Sequence, residues 1–518
     1  MQSAAISKFC LIQKYLIFSL VFFTVLLSSF RSGSAATFVE LPNEGSGGSS
    51  PQGETPSGEG NEYGDPVDVT TGSLVYRYKA LSLPVRGNLP FEIAYIYRSK
   101  DFMNFGEGGR LPQLNYDTRL QFLENGDIHR LTMDVKTQLF QRMPDGSYKS
   151  QPGVHGVLRQ NSDASFTYTE KNGTKFNYTS PNSVFISSLH SIEDANGNRI
   201  TLTRRQNVAN GPIYLDITDP TGRKIELTYS ASAPYMTQIG SQLLSIKDLA
   251  GNSTLFQRDN SGNLTAITDP EGNITSFEYH PNTRLLSKFT TPRGAVWQYE
   301  YDALGNCVKV TDPDDRVMTF QFNPPLKKTV YTDRRGNSQT FEYDVNKNIT
   351  RIIDPLGNSY LRNFDADFNI TSIKNQNNQI TSYSYDPKGN IVSSIDALGN
   401  KRQYTYEPIF NSLTSYINPL GKKTTYIYDL RGNLTAVTGA LGNKTIYTYD
   451  SFGQLLTKAD PNGNVSAFEY DVYGNLAKLT DALSDSIIFQ SDILGNFQTI
   501  KDARGNATAF VYDKRNLL

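Results

Sequence analysis

The chain is poor in the residues that build covalent or metal-bound frameworks. Its 518 residues include two cysteines, Cys10 and Cys307, one tryptophan and four histidines. Cys10 lies in a segment that we predict to be removed, so the mature chain has no partner for a disulfide at Cys307, and its stability must come from packing. The histidines show no spacing typical of metal ligands: they are His129, His155, His190 and His280.

Net charge is also nearly absent. Fifty lysines and arginines stand against 51 aspartates and glutamates, which leaves a formal charge of −1. Recognition of nucleic acid starts from an excess of positive charge that neutralises phosphates. We therefore expect no nucleic-acid partner, and no run of basic residues predicts a phosphate or membrane footprint.

Long apolar runs are missing except near the N terminus. Residues 16–27 are apolar apart from Ser19 and Thr24, and lysines precede them. This stretch is shorter than the roughly 20 residues of a membrane-spanning helix, and small residues follow at 34–36. We predict a signal peptide at 1–36 rather than a membrane anchor, hence a secreted or cell-surface protein with no membrane span after cleavage.

Three segments of different character follow the signal peptide. Residues 37–62 are rich in Gly, Ser and Pro and too poor in apolar residues to fold, which predicts a disordered linker. Residues 63–190 contain alternating stretches such as 119–123, which predict a β-rich domain. In residues 191–247 the turns at 194–198 and 219–223 are spaced irregularly, which indicates repeats with insertions or a cap.

A tandem repeat dominates residues 248–518. Residues 269–279 read Asp-Pro-Glu-Gly-Asn followed by Ile-Thr-Ser-Phe-Glu-Tyr, and the turn returns every 21 or 22 residues. Asp accepts backbone hydrogen bonds in such a turn, Pro presets φ, and Gly tolerates the positive φ that closes it. The turns begin at Asp248, Asp269, Thr291, Asp312, Asp333, Asp354, Asn375, Asp396, Asn418, Gly439, Asp460, Asp481 and Asp502.

Each period contains a second turn of the form Tyr-Asp-x-x-Gly-Asn, as at 301–306, 385–390, 428–433 and 470–475. The runs between turns are rich in β-branched and aromatic residues and predict short strands. Residues 444–449 should place Thr445, Tyr447 and Tyr449 on one face, with 434–438 as the partner strand. Each period is then one β-hairpin that must stack on its neighbours to bury a face.

The paired turns resemble the YD repeats of the RHS (rearrangement hotspot) family, which includes polymorphic toxins, wall-associated proteins and teneurins. The Asp-Pro-Val-Asp-Val-Thr-Thr-Gly motif at 65–72 is similar to the domain that commonly precedes these repeats. The resemblance implies an all-β fold. Stacked hairpins would form a spiralling antiparallel sheet that is part of a hollow shell, preceded by a β-rich N-terminal domain.

The resemblance implies a structural protein rather than an enzyme. We expect part of an encapsulating shell of a polymorphic-toxin-like system, and the chain stops inside a repeat at 512–518, without a cleavage segment or effector. It would then be a fragment, or it would act with a partner. The partner would be a toxin or cargo encoded elsewhere, or another chain that completes the shell. No catalytic, cofactor-binding or metal-binding residues and no cofactors are predicted.

Two alternatives stay open. A cell-surface adhesion or carbohydrate-binding protein would use tyrosines as a sugar-stacking stripe, with a surface glycan as its partner. A glycan-active enzyme would need two carboxylates that converge. Calcium would need several oxygens at each turn, whereas one Asp for each 21 residues is typical of a hydrogen-bonded turn.

Overall fold

The computed structural model describes residues 67–100, 113–231 and 242–518, apart from residues 88, 90, 135, 183, 184 and 210. The predicted signal peptide and linker lie outside the described residues. Within them the chain forms strands β1 to β40 and one short 3-10 turn, with no α-helix. No helix in these described ranges is long and apolar enough to cross a membrane.

The N-terminal strands form a small antiparallel sheet in the order β1-β2-β3. Its bounds are β1 Val75–Ser82, β2 Glu92–Arg98 and β3 Gln113–Leu114, and a 3-10 turn at Asn115–Asp117 follows. The five inner residues of β2, Ile-Ala-Tyr-Ile-Tyr, are all buried. An apolar run that is buried on both faces is typical of a central strand covered on each side.

The next strands begin the long sheet. They are β4 Arg119–Phe122, β5 Ile128–Leu131, β6 Thr137–Arg142, β7 Tyr148–Ser150, β8 Val157–Gln160, β9 Phe166–Thr169, β10 Lys175–Tyr178, β11 Ile186–Glu193, β12 Arg199–Gln206, β13 Ile213–Thr218 and β14 Lys224–Tyr229. β11 is the branch point, because its first residues pair with β4 and its last residues pair with β12.

The remaining strands alternate between five and six residues in most repeats. They are β15 Leu243–Lys247, β16 Ser253–Arg258, β17 Leu264–Thr268, β18 Ile274–Tyr279, β19 Leu286–Thr290, β20 Val296–Tyr301, β21 Cys307–Thr311, β22 Val317–Asn323, β23 Lys328–Thr332, β24 Ser338–Tyr343, β25 Ile349–Ile353, β26 Ser359–Phe364 and β27 Ile370–Lys374. They continue as β28 Ile380–Tyr385, β29 Ile391–Ile395, β30 Lys401–Tyr406, β31 Leu413–Ile417, β32 Lys423–Tyr428, β33 Leu434–Thr438, β34 Lys444–Tyr449, β35 Leu455–Ala459, β36 Val465–Tyr470, β37 Leu476–Thr480, β38 Ser486–Ser491, β39 Phe497–Lys501 and β40 Ala507–Ala509.

The predicted all-β repeat fold is confirmed. Strands β4 to β40 belong to one antiparallel sheet of 37 strands, and from β8 onward each strand pairs with the next along the chain. β34 and its partner β33 have the predicted bounds, and Thr445, Tyr447 and Tyr449 are the less exposed residues of β34.

The turns lie along the two edges of this ribbon. Turns of the Asp-Pro type, from 194–198 to 502–506, form what we call the DP edge. Turns of the Tyr-Asp type, from 259–263 to 513–517, form the opposite, YD edge. The irregular spacing of the turns at 194–198 and 219–223 has a simple cause, since the extra residues lie in the longer YD-edge connections after β12 and β14.

The ribbon winds on itself so that its two edges meet. Asn196 on the DP edge and Asn433 on the YD edge donate amide hydrogen bonds to each other, at 3.1 and 2.9 Å, across 237 residues. Further along, the Glu271 carboxylate accepts the Lys514 N–H at 2.9 Å. We call this line of contacts the winding seam. For reference, we call β11 to β24 the first winding and β25 to β40 the second winding.

A recurring bulge explains the curvature. In most repeats the register shifts just before the last residue of the six-residue strand, as between Thr448 and Tyr449 or between Glu278 and Tyr279. A β-bulge bends its strand and increases the local right-handed twist. One bulge in each such hairpin, always beside the YD edge, adds up over a long ribbon to a coil.

The core lies where the N-terminal sheet packs against the first winding. Tyr76 of β1 contacts Phe277 and Phe289 with ring centroids 5.4 and 5.2 Å apart, and Tyr95 of β2 contacts Phe256 at 5.2 Å. The N-terminal segment also reaches the YD edge, where the Thr329 hydroxyl donates to the Val69 carbonyl at 2.6 Å. The face that bears Phe277 is therefore the inner, concave face of the ribbon.

Candidate functional surface

Most turn aspartates use both carboxylate oxygens within their own turn. Asp269 Oδ1 accepts the N–H groups of Glu271 and Asn273 at 2.9 and 2.8 Å, and its Oδ2 accepts Asn273 Nδ2 at 2.9 Å. Gly272 closes the turn at φ 84°, a left-handed conformation that favours glycine. Such bonds stabilise the charged carboxylate: the hydrogen bond from Asn337 holds the pKa of Asp333 below its usual range.

Turns with other residues at these positions keep the same pattern of hydrogen bonds. Where the turn ends in arginine, Arg316 Nε replaces the amide and donates to Asp312 Oδ2 at 2.8 Å. Where Gly439 replaces the aspartate, the backbone bond from its N–H to the Asn443 carbonyl persists at 2.9 Å. The aspartate oxygens therefore serve the turn. Among the residues that the structure describes, no group of three or more His, Cys, Asp or Glu side chains is arranged to hold a metal ion.

The tyrosine of the Tyr-Asp turn closes the open end of its hairpin. Tyr449 is the last residue of β34, and its hydroxyl donates to the Leu434 carbonyl at the start of β33, 15 residues earlier, at 2.8 Å. The same bond, always across 15 residues and at 2.8–3.0 Å, recurs at Tyr301, Tyr385, Tyr406, Tyr428 and Tyr470. We call this series the tyrosine ladder.

Burial raises the pKa of the tyrosine hydroxyls in the ladder. Loss of hydration disfavours the phenolate, so burial raises the pKa of Tyr385, Tyr406, Tyr428 and Tyr470 to about 12. These hydroxyls are therefore hydrogen-bond donors at every physiological pH. At the equivalent position of β38, Ser491 is too short, and its buried hydroxyl has no hydrogen-bond partner in the described part of the chain.

The inner face changes character between the two windings. In the first winding Phe277 and Phe289 are 5% and 2% exposed because the N-terminal sheet covers them. In the second winding some of the corresponding pairs are polar, as with Tyr447 and Lys458, of which Tyr447 is half-buried and Lys458 is exposed. The inner wall of the second winding therefore combines buried rings, such as Phe468 and Phe489 at 5% and 4% exposed, with exposed polar side chains such as Lys458.

The outer face is charged and solvated. Glutamate and lysine side chains face each other across neighbouring strands in the pairs Glu278–Lys288, Glu300–Lys309 and Glu469–Lys478, at 2.8–2.9 Å. Exposed pairs of this kind contribute at most about 1 kcal/mol each. They fix which face of each strand meets water, because a register slip of one residue would turn them into the core.

A cavity of about 280 Å³ lies between β1, the DP edge of the first winding and the last YD turn. Its charged groups are already engaged. Arg515 lies 3.7 Å from the Asp269 carboxylate and 2.6 Å from that of Asp513, and Asp269 also holds its own turn. This arrangement joins successive windings, so Arg515 and Asp269 serve the fold.

The sequence analysis missed the seam and the ladder. Arg223 is an example: its Nη1 donates to the Ile493 carbonyl at 2.9 Å and its Nη2 to the Pro84 carbonyl at 2.8 Å. Nothing in the local sequence distinguishes Arg223 from other turn residues. The ladder did leave a signal, since the tyrosine always stands 15 residues after the first residue of the preceding strand.

Family comparisons match both halves of the chain. The RHS Repeat model matches residues 240–274, 258–287, 279–317, 411–444, 428–465 and 449–485. A model described as Domain of unknown function (DUF6531) matches residues 64–140. Comparison with curated proteins gives no match.

Comparison with solved structures finds toxin complexes at low similarity. The Tc holotoxin pore of Photorhabdus luminescens is 12% identical over 83% of this chain and 30% of that chain, with a TM-score of 0.38. A crystal structure of TcdB2-TccC3 is 11% identical over 86% of this chain and 35% of that chain, with a TM-score of 0.32. The chain thus spans about a third of the length of the structures that it matches.

Proposed function

This chain is an RHS-repeat protein whose repeats follow a DUF6531 domain, and from that premise we propose that it is an exported scaffold. Its wound sheet would form part of the wall of an encapsulating shell in a polymorphic-toxin-like system. In this role the chain performs no chemistry of its own. Its task is to surround or support another polypeptide, encoded elsewhere or carried on another chain that completes the shell.

The orientation of the tyrosines is the observation that supports this proposal best. Tyr385, Tyr406, Tyr428, Tyr449 and Tyr470 lie on the inner face, and each hydroxyl is bound to a backbone carbonyl. A sugar-binding stripe needs exposed aromatic faces with free polar tips. The ladder instead stiffens a curved wall, as a scaffold requires.

The inner wall of the second winding suits a polypeptide cargo. It presents polar and aromatic side chains such as Tyr383 and Lys458, and its apolar positions are interrupted by Ser394 and Arg362. Such a mixed surface can contact a chain without binding it as tightly as a continuous apolar core would. Glycan adhesion at the outer face stays a separate hypothesis, and no cluster of aromatic rings on that face, in the described ranges, favours it.

Labelling of engineered cysteines tests whether the inner wall is enclosed. Lys458→Cys places a thiol on the inner face, and Thr448→Cys places one on the outer face of the paired strand. The native Cys307 is buried. A small maleimide should label both variants, whereas a polyethylene-glycol maleimide should label the outer site at least about tenfold faster, because a concave wall excludes a polymer coil. Equal polymer labelling at both sites would contradict an enclosing role.

A further inference from the structure

The DP edge of the second winding carries exposed leucines at its tips. Leu398, Leu420 and Leu441 occupy the third position of three consecutive turns and are 84%, 83% and 83% exposed. Neighbouring turns on this edge are separated by two strands, which corresponds to about 10 Å. Single exposed leucines are common on protein surfaces, so this row is informative only together with the charges around it.

Four lysines flank these leucines. Lys401, Lys422, Lys423 and Lys444 stand where each turn enters its following strand, and all four are exposed. None of the four forms an ion pair with any carboxylate in the described ranges. We call the three leucines and four lysines the leucine ridge.

Acidic charge is depleted at the ridge. The turn at 418–422 begins with Asn418 and the turn at 439–443 with Gly439, where most repeats have aspartate. The remaining carboxylate, Asp396, has Arg402 at 3.6 Å. Residues 396–402, 418–423 and 439–444 together contain five basic residues and one aspartate, so the ridge has a net charge of +4 in a chain whose net charge is −1. The basic residues come from three separate turns, which is why no basic run appears in the sequence.

We propose that the leucine ridge docks the protein on an anionic lipid surface. Exposed leucines flanked by lysines suit the boundary between the headgroups and acyl chains of a bilayer. The leucines can leave water there while the lysine ammonium groups contact lipid phosphates. Lysine side chains are long enough to stay at the headgroup level while their stems lie along apolar surface. This inference is independent of the scaffold proposal, since the ridge lies on an edge of the ribbon and not on its inner wall.

Another protein edge fits the ridge less well. Where the DP edge is covered in the winding seam, its third turn position is polar, as with Asn196 and Glu271. A second copy that presented its own ridge would bring like charges together. The YD edge of the first winding is covered by the N-terminal segment, for example at Cys307, whose N–H donates to the Gly72 carbonyl at 2.9 Å. The ridge is also bounded, because the next leucine tip, Leu483, stands between Asp481 and Asp485.

Vesicle co-sedimentation of residues 37–518 tests the proposal. The probes are vesicles of phosphatidylcholine alone and of phosphatidylcholine with about 30% phosphatidylserine. The first variant is Leu398→Ser with Leu420→Ser and Leu441→Ser. The matched control is Leu304→Ser with Leu430→Ser, which removes leucines that are 73% and 93% exposed on the opposite, YD edge. A third variant replaces Lys422, Lys423 and Lys444 with Gln.

The unaltered chain should bind the vesicles that contain phosphatidylserine and not the neutral ones. The triple leucine variant should bind at least about tenfold more weakly and the lysine variant should lose the preference for anionic lipid, while the control should be unchanged. All replaced leucines are in solvent, so circular dichroism should show every variant folded. Failure of the unaltered chain to bind, or equal loss in the control, would overturn the proposal. A dimer that sedimentation velocity detects in the unaltered chain, and that is lost in the triple leucine variant, would also overturn it, because the ridge would then be a protein interface.

Discussion

Removal of a single ladder hydroxyl should loosen one hairpin while its ring stays in place. Tyr449→Phe deletes the 2.8 Å bond to the Leu434 carbonyl and leaves the aromatic packing on the inner face intact. A hydrogen bond of this kind contributes about 1 kcal/mol net. Tyr449 is only partly buried, so water can reach the freed carbonyl, and we expect no larger penalty.

A difference of about 1 kcal/mol corresponds to about a fivefold change in the population of the locally opened hairpin. Hydrogen exchange followed by mass spectrometry should therefore show about fivefold faster exchange in peptides that cover β33 and β34. Local exchange is the appropriate assay, because long repeat arrays do not unfold in a single two-state step.

Tyr447→Phe is the matched control. Tyr447 lies two residues earlier on the same strand and the same face, and its hydroxyl has no hydrogen-bond partner in the described part of the chain. Its loss should leave exchange unchanged. Equal acceleration in both variants, or none in Tyr449→Phe, would refute the assignment of a stabilising role to the ladder bond.

Three further predictions follow from the turns and the seam. Asp386→Ala should cost about 1–2 kcal/mol of local stability in hydrogen exchange, because it removes the acceptor of hydrogen bonds from Lys388 and Asn390. Asp386→Asn should cost less than half of that, because it keeps an Oδ1 acceptor. Hydrogen bonds lower the pKa of turn aspartates such as Asp333 in the folded state. The stability that they give is present above the unfolded pKa of about 3.9 and is lost as the pH falls through the lower folded value. The β-sheet signal in circular dichroism should therefore fall most steeply on acidification below about pH 4. Arg223→Ala should lower the local stability measured by hydrogen exchange at residues 219–223 by about 3–5 kcal/mol, because it leaves the buried Asp219 without its ion partner. Arg316→Ala should cost less, because Arg334 stays 3.2 Å from Asp312.

Local features of the fold were predictable because each is encoded within one repeat. The Asp-Pro-x-Gly-Asn turn carries its own acceptor, its own left-handed glycine and its own amide donor, so its geometry follows from five residues. Strand faces followed from alternation, and the shared face of Thr445, Tyr447 and Tyr449 is confirmed. The proposed boundaries at 36, 62, 190 and 247 stay predictions.

Long-range features were not predictable from local chemistry. The winding seam joins Asn196 to Asn433 across 237 residues, and its register depends on the twist accumulated over many bulges rather than on either residue. The leucine ridge has the same origin, since residues 21 or 22 apart become neighbours only because the turns share one edge. Sequence spacing revealed the period but not which edges meet.

The ribbon winds so that the DP edge of the first winding meets the YD edge of the second. Crosslinking of Asn196→Cys with Asn433→Cys by a short bismaleimide tests it most directly, with Asn196→Cys and Asn475→Cys as the control pair on the same two edges. We expect rapid intramolecular crosslinking of the first pair and little of the second, detected by the altered migration of the looped chain. Equal crosslinking of both pairs, or none of the first while both thiols react with a monofunctional maleimide, would contradict the wound ribbon.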